Sequence, residues 1–268
     1  MLKMEQIISS RFHMPSLKNN QTRILGFGYN DFDSATGKRS LRGDGENGKD
    51  LCDFICSVLK PQKNVGLWNC DCIEPIIAEE MRKISLDSEE NETSIFCYFG
   101  HGREDFLDLP DFESEKKDKL RPFYKKDFFD LVSKIKGRKL VILSCCYGDY
   151  HQIPENTLLV TPSKRNTGAY TDCFHMRLVF DLFNSKEQSS PLDHLFYTLL
   201  TKYHNFPFGP LNGPWIHNSG DKLDKEVYEE EKNTNTEIFK GYQRANVRST
   251  LIENGIHLDV DPKCNFLK

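Results

Sequence analysis

Two side chains in this sequence have the types and the neighbours for thiol chemistry: His101 in Gly100-His101-Gly102, and Cys146 in Ser144-Cys145-Cys146-Tyr147-Gly148. A free thiol has a pKa of about 8.5 and is mostly protonated at neutral pH, so a nucleophilic cysteine needs an imidazole or a positive potential beside it. Acyl transfer also needs backbone N–H donors where the oxyanion forms, and a glycine lets a carbonyl approach the main chain closely. His101 with the N–H of Gly102, and Cys146 with its own N–H and Gly148 behind it, supply those groups. Read alone, Cys145 and Cys146 simply end a buried strand, because free cysteine is among the most buried residue types. The His-Gly partner raises the catalytic reading above that one.

Both groups follow stretches that read as buried strands. Lys139 to Leu143 is a short apolar run rich in β-branched residues, and Ser94 to Phe99 is its counterpart upstream. Open α/β sheets carry their working residues at the carboxyl ends of the strands, so two such strands deliver imidazole and thiol to one edge. Arg23 to Tyr29, Asn64 to Asn69 and Asn156 to Thr161 read as further strands. Leu51, Phe54, Ile55, Val58 and Leu59 share a helical face, as do Ile73, Ile76, Ile77, Met81 and Ile84. Phe128, Leu131, Val132 and Ile135 mark a third helix, and Ser190-Pro191 caps and opens a fourth that runs to Tyr203. This alternation predicts an α/β sandwich with a central, mainly parallel sheet flanked by helices. Arg103 to Arg121 reads as a polar loop. Residues 1–21 read as a short flexible leader and 22–268 as one domain. Beyond Phe206 the pattern weakens into a Pro- and Gly-bearing linker and a charged segment, Asp221 to Asn235, of the kind that forms a solvated helix or stays disordered.

Composition narrows the classes. A chain of 268 residues, 28% charged, is long enough to bury one core without staples. Its net charge of −4 favours neither nucleic acid nor a membrane surface as partner. Nine cysteines, an odd and scattered set, make no disulfide framework, and the amino terminus lacks the apolar stretch of a signal peptide. The expected compartment is the cytoplasm. Cys52, Cys56, Cys70 and Cys72 do not have the spacing of a zinc finger, and core packing is the better reading of the first two, so no metal or other cofactor is expected.

At the two strand ends the chain resembles the caspases, cysteine endopeptidases that cleave after aspartate. Their signature is Gln-Ala-Cys-x-Gly with a histidine about fifty residues upstream. Here the pentapeptide is Ser144 to Gly148, with His101 at 45 positions before Cys146. Asn30 to Gly37, Arg42 and the helix start near Gly45 look like the family's first strand, loop and helix. Ser185-Lys186-Glu187 and the Leu192–Tyr203 helix look like the start of its small subunit. The resemblance covers roughly residues 23 to 205, with a large-subunit-like part to about residue 155. It implies that Cys146 is the nucleophile and His101 the base and acid, with the N–H groups of Gly102 and Cys146 as the oxyanion hole. Arg42 would bind the substrate aspartate, together with Arg165 in the Ser163-Lys164-Arg165 match to the family's Ser-x-Arg motif. An alternative alignment places Cys173 there instead. Substrates would be proteins or peptides, in apoptosis-type proteolytic signalling, and the partner a second copy or another caspase.

Some positions depart from the family pattern. Ser144 replaces the glutamine that helps line the aspartate pocket, Tyr147 replaces a common arginine, and the linker that the family cuts during activation is very short here, between Gly148 and Thr157, which opposes activation by such cleavage. Two other functions follow from these departures. One is a catalytically inactive homologue that regulates an active caspase by pairing with it. The other is a peptidase of the same clan that cuts after basic residues, which Arg42 opposes.

Overall fold

The computed structural model describes residues 22–29, 44–68, 71–110, 120–163, 178–179, 182, 190–203, 207–210, 242–244, 246–253 and 256–257. The expected leader, 1–21, and the expected Arg42, Arg165 and Cys173 lie outside them. The chain runs β1 (Thr22–Gly28), α1 (Asp44–Leu59), β2 (Lys63–Trp68), α2 (Glu74–Asp87), β3 (Thr93–Phe99), β4 (Phe106–Pro110), β5 (Leu120–Tyr124), α3 (Lys125–Ser133), β6 (Arg138–Ser144), β7 (Thr157–Thr161) and α4 (Pro191–Thr198). A π-helical turn, Leu199–Tyr203, continues α4. After it come β8 (Pro207–Pro210), β9 (Tyr242–Arg244), β10 (Asn246–Ser249), β11 (Ile252–Glu253) and β12 (Ile256–His257).

Six strands form the central sheet in the order β10-β7-β6-β3-β1-β2. The four pairings from β7 to β2 are parallel, and β10 adds to β7 antiparallel. Every residue of β1, β3 and β7 is buried, which is why they read as unbroken apolar runs rather than as alternating ones. Successive side chains still go to opposite faces. Ile95, Cys97, Phe99, Leu140, Ile142, Leu158 and Val160 pack with Leu51, Ile55 and Val58 of α1 and Leu192, Leu195 and Phe196 of α4. Phe96, Tyr98, Val141, Leu143 and Leu159 pack on the other face with Ile77, Met81 and Ile84 of α2 and Phe128, Phe129 and Val132 of α3. The architecture is therefore an α/β sandwich around a mainly parallel sheet.

Two stretches differ from the sequence expectation. Residues 103–121 do not form a plain loop: β4 and β5 pair antiparallel, Phe106 opposite Tyr124 and Pro110 opposite Leu120. The hairpin forms because Leu107, Leu109 and Phe123 are buried from one of its faces. The stretch from Ile238 to Ile252, only weakly periodic in the sequence, contributes β10, which closes the β7 edge with Asn246 opposite Thr161 and Ser249 opposite Leu158.

Candidate functional site

The site is set by register. β3 and β6 are hydrogen-bonded neighbours paired from Thr93/Arg138 to Phe99/Ser144, so both strands end at the same level. Gly100-His101-Gly102 and Cys145-Cys146-Tyr147 are the first residues beyond that level, side by side. The Gly100 N–H donates to Ser144 O at 3.4 Å, and the Cys145 N–H turns back to Leu143 O at 3.1 Å. The approach is closest at Gly102. A Cβ built there would lie 2.5 Å from Cys146 O, 2.7 Å from Cys145 Sγ and 3.0 Å from Cys145 Cβ, distances that only a glycine avoids.

The His101 loop is fastened from below. Gly102 bridges Leu107 as an antiparallel pair, whose bonds run from Asp108 N to His101 O (3.0 Å) and from Arg103 N to Phe106 O (2.8 Å). In a pair of this kind the central residues keep their own N–H and C=O out of the ladder, so the Gly102 N–H is directed away from β4. The buried Tyr98 hydroxyl reaches the carbonyls of His101 (2.6 Å) and Asp108 (2.7 Å). Burial holds that phenol well above its ordinary range, so it stays a neutral donor. The imidazole of His101, half-buried, lies with its centroid 6.4 Å from the ring of Tyr29 at the end of β1.

The thiol loop is fastened from the other side. Ser163, beyond β7, donates its hydroxyl to Cys145 O at 3.1 Å and accepts the Gly148 N–H at 3.2 Å. Asp149 is held by the guanidinium of Arg248 on β10 through a two-pronged pair, one arm at 2.7 Å. Tyr147 has a left-handed φ of 53°, uncommon for a non-glycine residue. Lys125 donates to Arg103 O (2.8 Å), Glu104 O (3.0 Å) and Tyr147 O, which joins the two loops.

The two adjacent thiols are not equivalent. Cys145 has no exposed surface, and burial pushes it up to about 12, against a smaller opposing pull from the Lys125 charge. Cys146 is half-buried. Of the two thiols, Cys146 is the one that solvent can reach. Ser144, expected to line a substrate pocket, is only 1% exposed and ends β6 inside the fold. His101, Gly102, Ser144 and Cys146 are brought together.

Lys125, Tyr98, Ser163 and the Asp149–Arg248 pair had no sequence signal as site residues, although Ser163 stood in the Ser-x-Arg match. Lys125, Tyr98 and Ser163 act through main-chain atoms and Asp149 through a partner 99 residues away, which spacing does not reveal. Among the described residues no group of three or more His, Cys, Asp or Glu is placed to hold a metal ion. Cys52 and Cys72, two members of the cysteine set weighed for zinc, pack on opposite faces of the sheet. No helix among the described residues is long and apolar enough to cross a membrane.

No family model matches the chain, and no curated protein matches it. Solved structures do. Caspase-1 from Spodoptera frugiperda is 10% identical, with a TM-score of 0.49 and 88% of each chain covered. A structural-genomics protein from Geobacter sulfurreducens is 14% identical, with a TM-score of 0.44 over 61% of this chain and 82% of that one. Likeness at this level fixes neither family nor activity.

Proposed function

We propose that this chain is a caspase-like cysteine endopeptidase, cytoplasmic, paired with a second copy or another caspase, and acting on proteins or peptides in apoptosis-type signalling. One observation carries the reading: the β3–β6 register sets His101-Gly102 against Cys145-Cys146, with the half-buried Cys146 as the accessible thiol. In this reading the Cys146 thiolate attacks the scissile carbonyl carbon and the C–N bond breaks. His101 gives its proton to the leaving amine, then takes one from the water that hydrolyses the thioester. The N–H groups of Gly102 and Cys146 stabilise the oxyanion. Cleavage after aspartate rests on the resemblance at Arg42 and Arg165, where paired guanidinium groups suit one carboxylate.

A second reading has its own support. Ser144 is short and buried where the family has a pocket-lining glutamine, which favours an inactive homologue that regulates an active caspase by pairing with it. Hydrolysis of fluorogenic tetrapeptides ending in Asp, Glu, Arg or Lys separates the two. Cleavage after Asp that is lost in Cys146→Ala and kept in Cys145→Ala supports the peptidase. Cleavage after Arg or Lys assigns basic specificity instead. No cleavage by folded, dimer-tested protein leaves the regulator.

A further inference from the structure

Lys125 opens α3 and has no exposed surface. Its Nζ donates to three carbonyls, those of Arg103, Glu104 and Tyr147, which matches the three protons an ammonium carries. Its backbone N–H donates to Asp105 O at 2.8 Å. One residue thus grips residues 103 to 105, directly after His101-Gly102, and residue 147, directly after Cys146. Lys126 next to it is exposed and pairs with Asp130 one helical turn on, at 2.6 Å, as surface lysines on helices do. Burying an ammonium is costly, and carbonyl partners offset only part of that cost. Stability alone does not account for a lysine here.

We propose that Lys125 is a positioning residue of the thiol site: it fixes the spacing of the His101 and Cys146 loops and holds a positive charge beside the nucleophile. The proposal rests on reading Cys146 as the reactive thiol and adds what keeps it in place. Tyr147, whose carbonyl Lys125 holds, has the left-handed φ of 53°, a backbone state that persists where its surroundings impose it. The Lys125 charge already acts on the neighbouring Cys145 thiol in the direction of thiolate. Among the described residues, the other titratable or charged groups around the two loops include His101 with Tyr29 against it, Tyr98, Arg103, Glu104 and Asp105 before the hairpin, Asp108 on β4, and Asp149 with its Arg248 partner. Lys125 bonds to both loops.

The test is alkylation of Cys146 by iodoacetamide in the full chain, located by peptide mass spectrometry and followed against pH. Wild type is compared with Lys125→Met, Lys125→Gln and Lys125→Arg. Removing the charge in Met and Gln is expected to raise the midpoint of the profile by about one pH unit, and to slow alkylation at neutral pH about tenfold. Arginine, which keeps the charge, is expected to stay near wild type. A folded Met or Gln variant with the wild-type midpoint overturns the proposal. So does failure of both neutral variants to fold, since Lys125 would then serve the fold itself. Alkylation needs no peptide substrate, so the outcomes separate. Wild-type Cys146 no more reactive than the half-buried Cys56 would overturn the thiol-site reading and this proposal together. A reactive wild-type Cys146 that ignores the neutral variants overturns the role of Lys125 alone.

Discussion

The two ends of the central sheet solve the same packing problem in opposite ways. At the amino-terminal edge, charge is spent on charge. Arg23 and Glu92, 8% and 6% exposed, share two bonds at 3.0 Å, and Arg23 also donates to Asp87 O at 2.8 Å. Glu92 accepts the Glu89 N–H at 3.0 Å through its carboxylate, and its carbonyl accepts from Arg138 N at 3.0 Å. Gly137 makes this closure possible with φ 71°, because a Cβ there would sit 2.3 Å from Glu92 O. At the carboxyl-terminal edge, carbonyls are held by Tyr98, Lys125 and Ser163, and none of those bonds uses the side chain of His101 or Cys146. One edge locks the strands together, while the other shapes the loops that carry His101 and Cys146.

The largest effect belongs to the locked edge. Glu92→Ala leaves the buried Arg23 guanidinium with only the Asp87 carbonyl and a 3.8 Å approach to the exposed Asp87 carboxylate, and removing one partner of a buried pair costs about 3–5 kcal/mol. Urea unfolding should show this loss, while the alkylation rate of Cys146 in the folded variant stays at the wild-type value. A slowed thiol would mean that the two edges are coupled through β3 and that the contrast drawn here is wrong.

Gly102→Ala probes the open edge. Its new Cβ must displace Cys146 O and Cys145 Sγ, so the His101 and Cys146 loops separate by a fraction of an ångström or more. Misplacement on this scale is worth about 100-fold in rate, and that loss in Cys146 reactivity or peptide hydrolysis is the expected result. An unchanged rate would show that the approach of the loops is packing without chemical consequence.

Ser163→Ala is gentler. It removes the acceptor of the Gly148 N–H and the donor to Cys145 O, both buried, at a cost of about 1–3 kcal/mol in unfolding free energy. Because the thiol turn loses one of its anchors, Cys146 alkylation should also fall, by several-fold rather than a hundredfold. Stability loss with full reactivity would leave Ser163 a structural residue only.

The contrast between the edges was half legible in the sequence. β3 and β6 announce themselves as apolar runs, and the glycines flanking His101 and Gly148 two residues after Cys146 mark where each strand stops. Their adjacency is a matter of strand order, which no local pattern encodes. Phe106 to Pro110 escaped notice because its partner strand lies across residues 111–119, and because Asp108 and Pro110 interrupt the pattern although both are buried. β10 has one apolar residue, Val247, among Asn246, Arg248 and Ser249, and owes its strand state to the exposed edge of β7. Lys125 and Lys126 are indistinguishable as letters, yet one is enclosed between two loops and the other is in water.

The smallest effect concerns the two thiols themselves. Burial pushes the Cys145 thiol up to about 12, above the ordinary thiol range of about 8.5–9, so the neutral form is what the folded state stabilises. Below pH 9 this contribution is fully present. As pH rises from 9 towards 12 the unfolded chain ionises its thiol and the folded chain does not, which weakens the fold by about 1.4 kcal/mol per pH unit. Cys145→Ala removes this alkaline loss and in exchange leaves a small void, costing about 1 kcal/mol at neutral pH. Wild type should therefore be the more stable at pH 7, and the two unfolding curves should meet about one pH unit above the ordinary thiol value. Cys56, also raised by burial, is common to both proteins and cancels in the difference, as does the burial that dominates at Tyr98, which feels Cys145 only as a lesser effect. Curves that stay parallel through this range would mean that Cys145 ionises as freely in the fold as out of it, and the distinction between the enclosed thiol and its half-buried neighbour would fall.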